Sequence, residues 1–148
     1  MKKFLVVVYV IVLYQLFAQS AVFLDEILSS KQITFSQAAY LVFVGNGEYQ
    51  DTVQQKVALE EALKRKWIKQ TGNPDNPITV AQFAYLVMRA FGINGGLMYT
   101  LFSGPRYGFR ELVYKGLIPR TIDPQAYVDG ALALRIVRIA AELKGLDK

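Results

Sequence analysis

Neither cysteine nor histidine occurs anywhere in this chain. Their absence excludes a thiol nucleophile, a histidine-based nucleophile triad and the usual zinc or copper sites. It also excludes a disulfide framework and a lipid attached through cysteine. Only carboxylates, hydroxyls and lysines remain for catalysis, and they form no active-site pattern. Glu60 and Glu61 are neighbours, and adjacent residues on a helix do not face each other across a substrate. Asp75 and Asp123 lack the run of oxygen ligands that calcium needs. The expectation is a protein that is not an enzyme and has no cofactor or metal. Dense basic runs are missing too, which makes nucleic acid an unexpected partner. Beyond the N-terminal segment, no apolar run is long enough to span a bilayer.

That N-terminal segment has a recognisable design. Met1-Lys2-Lys3 leads into the apolar stretch Phe4–Tyr14 and then Gln15-Leu16-Phe17-Ala18-Gln19-Ser20. A basic start, an apolar stretch shorter than a membrane crossing and small residues at Ala18 and Ser20 describe a secretory signal peptide over residues 1–20. The expected product is exported, to the periplasm or the cell surface. Removing Lys2 and Lys3 reduces 17 basic residues to 15 against 12 acidic ones, so the formal charge falls from +5 to +3. The mild basic bias suits an anionic wall polymer or membrane surface. Residues 21–148 are of a size to bury one hydrophobic core.

Within them a phrase recurs. Ile33-Thr34-Phe35-Ser36-Gln37-Ala38-Ala39-Tyr40-Leu41-Val42 is echoed by Ile78-Thr79-Val80-Ala81-Gln82-Phe83-Ala84-Tyr85-Leu86-Val87. Threonine followed three residues later by glutamine is a capping box: Thr34 with Gln37, and Thr79 with Gln82, each satisfy two otherwise orphaned amides at a helix start. Apolar residues then recur at helical spacing. A third start is expected at Asp123-Pro124, with Asp123 as N-cap and proline in the first turn.

The pattern predicts an all-α chain of short helix, turn-rich connection and long helix, three times over. Short members are expected at about 22–29, 53–68 and 109–116, with long ones at about 34–44, 79–91 and 124–143. The units would run over about 21–48, 51–95 and 97–144. Asp51-Thr52 is the expected cap of the second short helix, whose outer face would pair Glu60 with Lys64 and Glu61 with Arg65. Three such units can bury a core that none could bury alone.

This arrangement resembles the S-layer homology family, whose modules pair a short helix with a longer one opening on Ile-Thr-Arg-Ala-Glu. The likeness is clearest in Asn76–Ala84 with Met88–Gly92, and in Tyr107–Ile118. The resemblance implies a three-module helical prism with pseudo-threefold symmetry, docking on anionic cell-wall polysaccharide or peptidoglycan. The chain departs from the family phrase in having Phe35 and Val80 in place of arginine, and Gln37 and Gln82 in place of glutamate. In the third unit Tyr127-Val128-Asp129-Gly130-Ala131 occupies the aligned place.

Ligand contacts are therefore sought in the connections. Arg106, Tyr107 and Arg110, with Lys115 and Arg120 nearby, combine an aromatic with guanidinium groups suited to stacking on a sugar and gripping its acidic substituent. Gly104-Pro105 would fix that loop in a turn. Trp67, beside Lys66 and Lys69, could be a second sugar platform, although a lone Trp on an apolar stripe is more often core. The favoured function is an exported attachment module of the cell envelope. The alternative is an envelope scaffold that binds another protein or itself through the same helices.

Overall fold

The computed structural model describes residues 22–69 and 73–146; the expected signal peptide lies outside them. The protein is all-helical. Helix α1 covers 22–29, followed by α2 (Phe35–Gly45), α3 (Gln55–Lys64), α4 (Val80–Phe91), α5 (Leu97–Leu101), α6 (Pro105–Tyr114) and α7 (Gly130–Leu146). No helix among the described residues is long and apolar enough to cross a membrane.

Both capping boxes form as the sequence requires. The Gln37 amide donates to Thr34 Oγ1 at 3.2 Å and the Thr34 amide to Gln37 Oε1 at 2.9 Å. At α4 the corresponding distances are 3.3 and 3.0 Å. The third long helix corrects the expectation. Asp123 does not cap it; its carboxylate accepts the Gln125 amide at 2.9 Å in a tight turn. Asp129 is the cap, accepting the Leu132 amide at 2.7 Å, and α7 begins at Gly130. The displacement has a tertiary cause. The carbonyls of Pro124 and Ala126 accept the Ala81 and Val80 amides at the start of α4, which keeps 124–128 out of a helix.

The helix starts are joined to one another at the centre of the molecule. Ile78 donates its amide to the Ile33 carbonyl (3.0 Å), Val128 to Ile78 (3.1 Å), and Ile33 to Val128 (3.0 Å), which closes a ring of three backbone hydrogen bonds. All three side chains are fully buried. Two residues further on, the first amide of each long helix reaches the neighbouring connection: Phe35 to Asn76, Val80 to Ala126, and Gly130 to Ser30. The amides that a helix N-terminus leaves orphaned are thus spent on tying segments together.

Packing follows the same order. Helix α3 lies on α2, and α6 on α4, so each of these two short helices covers the long helix that precedes it. Gly108 allows α6 to approach α4 closely, since a Cβ there would sit 3.0 Å from the Tyr85 Cα. Helix α2 is buried almost all round and also contacts α4 and α7. Its C-terminal Asn46 is buried and satisfied: Nδ2 donates to the Ala90 carbonyl (3.1 Å) and Glu48 Oε1 (3.0 Å), while the Asn46 carbonyl accepts from Lys144 Nζ (3.0 Å). These bonds gather the ends of α2, α4 and α7.

Other boundaries shift. The second short helix has Gln54 rather than Asp51-Thr52 at its N-cap position, with no side-chain capping bond, and Lys64 pairs with Glu61, at 3.6 Å, rather than with Glu60. Helix α6 starts on Pro105, not Phe109, because Pro at the first helical position needs no amide partner. After α3 and α6 the chain turns through a left-handed residue, Lys66 (φ 58°) and Gly116 (φ 79°) respectively.

Two stability changes are expected in urea denaturation. Lys66→Gly should stabilise the fold by about 1 kcal/mol, since only glycine occupies the left-handed region without steric cost. Gly130→Ala should destabilise it by about 3 kcal/mol, because the added methyl would overlap the Ile27 carbonyl oxygen, a backbone atom that cannot swing aside.

Candidate functional site

Starting α6 at Pro105 decides where its side chains go. Arg106 and Arg110 are four residues apart on a continuous helix and share a face. Both line a groove of about 900 Å³ between the start of α4, α6 and the 124–125 turn. Thr79 and Gln82 form the opposite wall, and Phe109, Pro105 and Pro124 give an apolar floor. Among the described residues, no aspartate or glutamate lines this groove. Neither arginine forms an ion pair among the described residues.

Gln82 acquires a second role here. Its Oε1 accepts from the Thr79 amide and the Thr79 hydroxyl, both at 3.0 Å. With the oxygen engaged in capping, the side-chain NH₂ is left as a donor. The groove therefore presents two guanidinium groups and a neutral amide with no opposing carboxylate, an environment that favours anionic oxygen ligands. From sequence, Gln82 reads only as a cap.

A second groove, of about 360 Å³, lies between the α2 start, the segment after α3, and α4. Lys66, Trp67 and Lys69 line it, facing Tyr85 and Gln82. The indole of Trp67 is tied to the core: its ring stacks on Phe43 at 5.3 Å and 17°, and the Arg65 guanidinium lies 4.8 Å from its centroid. Arg65 in turn bonds Glu48 and Glu61, each at 2.8 Å. The side chain is thus a strut among aromatic rings and carboxylates, with Trp67 contributing an edge to the groove.

Tyr107 parts from Arg106 but keeps Arg110 as a neighbour. It points into a third groove, of about 470 Å³, shared with Met98, Arg110, Glu111, Tyr114 and Arg120, where its ring stacks on Phe102 at 6.0 Å. Arg110 stands between this groove and the first. Lys115 is exposed and lines none of these three grooves. The structure thus brings together Arg106 with Arg110 and Arg110 with Arg120. It separates Tyr107 from Arg106, and Trp67 from both.

Burial pushes the Tyr99 phenol above its ordinary range, with the neighbouring Tyr85 adding to the effect; Tyr40 is likewise raised, by burial first and then by Asp51. Among the described residues, no three acidic side chains stand close enough to hold a metal ion.

The Arg65 strut generates a pH prediction. Its hydrogen bond to Glu61 is the main reason that this carboxyl titrates below the ordinary carboxylate range. The folded state therefore binds the proton less tightly than the unfolded state, and the resulting stability is present at neutral pH and lost as pH falls through the folded-state value. The stability difference between the native chain and Glu61→Gln, measured by urea denaturation, should shrink towards zero under acid.

Comparison with protein-family models, with curated proteins and with solved structures finds no match to this chain.

Proposed function

We propose that this protein is an exported, non-catalytic attachment module of the cell envelope, a divergent relative of the S-layer homology domains, that docks on an anionic wall polysaccharide or peptidoglycan. The observation that carries this reading is the acid-free groove with Arg106 and Arg110 on one wall and the spare amide of Gln82 on the other. Two guanidinium groups on one helix face can each grip a carboxylate or phosphate group of a polymer, and an apolar floor suits the faces of sugar rings. The positions where the family phrase has arginine are Phe35 and Val80, both buried, so ligand contact shifts from the helix starts to α6. Glutamine in place of glutamate at position 82 keeps the cap while removing a negative charge from the groove.

A scaffold reading draws on a different observation. Several large apolar side chains of α5 and its neighbours are exposed, and surface of that kind serves contact with another macromolecule.

Co-sedimentation with purified wall sacculi separates these readings. The attachment reading expects binding at low salt, release at high salt, and roughly tenfold weaker binding for each of Arg106→Ala and Arg110→Ala. Absence of co-sedimentation at low salt would overturn it.

A further inference from the structure

We propose that α5 and the residue after it form a wedge that docks this protein on an anionic lipid surface. The inference stands apart from the wall-glycan reading, because it rests on the apolar side chains of α5, which line no part of the Arg106 groove, although Arg110 borders both surfaces. Helix α5 is only five residues long and has no side-chain cap. Tyr99 is its buried anchor, while Leu97 (74% exposed), Met98 (53%), Leu101 (62%) and Phe102 (58%) remain in solvent. Tyr114 of the adjoining α6 is 83% exposed. Beyond Tyr99, the four large apolar side chains turned outward add nothing to the core. Such a patch is the mark of an interaction surface.

The charge around the patch selects its occupant. Met98 and Tyr114 share a groove with Arg110 and Arg120, Arg106 lies one turn before Arg110, and Lys115 follows Tyr114. The acid in this groove, Glu111, is turned towards the start of α5: its Oε1 lies 3.1 Å from where a Cβ on Gly96 would be. Apolar tips bordered by cations are what an interfacial element needs. The apolar groups enter the acyl boundary while the cations hold headgroup phosphates. A second copy of the chain fits poorly, because a twofold contact would press this cationic border against itself.

The absence of cysteine makes a clean test available. Leu101→Cys would carry the sole thiol, and an environment-sensitive fluorophore attached there reports insertion directly. Vesicles of equimolar phosphatidylglycerol and phosphatidylcholine should shift its emission to the blue and raise its intensity, whereas a label at Lys56→Cys on α3 should not respond. Leu97→Ser with Phe102→Ser should weaken vesicle binding about tenfold or more, with unchanged circular dichroism because both side chains lie outside the core. Three results would overturn the proposal: no spectral shift at residue 101 with anionic vesicles, full vesicle affinity in the double variant, or a concentration-dependent dimer that the double variant abolishes. The last would assign the patch to a second copy. Binding to sacculi bears on none of these readouts, so the two proposals fail separately.

Discussion

Ile33, Ile78 and Val128 each donate one backbone hydrogen bond within the central ring and accept one. None of these groups has water as an alternative, since all three residues are fully buried. A buried amide left without a partner costs roughly 1–3 kcal/mol, so displacing one segment penalises both of its neighbours. This closed circuit fixes where every long helix begins. Those starts in turn set the grooves, because the floor and walls of the one that holds Arg106 and Arg110 are the first turn of α4, the first half of α6 and the connection that precedes α7.

The ring also explains why short-range signals were readable at two helix starts and misleading at the third. Thr34 with Gln37 and Thr79 with Gln82 obey a local rule, and the local rule holds. Asp123-Pro124 is an equally good local start, yet the carbonyls of Pro124 and Ala126 are needed by α4, and a helix there would withdraw them. The helix begins instead at Gly130, capped by Asp129, where the chain runs so close to α1 that any larger residue would meet the Ile27 carbonyl. The proline-first rule applied at a different place, Pro105, and its effect there was large. It brought Arg106 and Arg110 onto one face and sent Tyr107 to another.

Trp67 and Gln82 mark the opposite limits of reading function from residue type. Tryptophan beside lysines looks like a sugar platform, but its ring is held against Phe43 and Arg65. Glutamine in a capping box looks purely structural, but a cap consumes only the oxygen of its amide. The all-helical class was legible from periodicity and caps. Groove membership was not, because it depends on which segments the ring brings side by side.

The Ile33 amide bonds residue 128, and the Gly130 amide bonds Ser30, so the earliest and latest described segments depend on each other. A chain synthesised from its N-terminus cannot complete the circuit until Val128 has emerged. Until then α2, apolar on nearly every side, lacks α7 as cover. The contacts that finish the fold are among the most distant in sequence, which places the entropic cost of closing long loops before the reward. Folding of this small helical protein therefore waits on the segment that leads into α7, and it remains unfinished for most of the time the chain is being made.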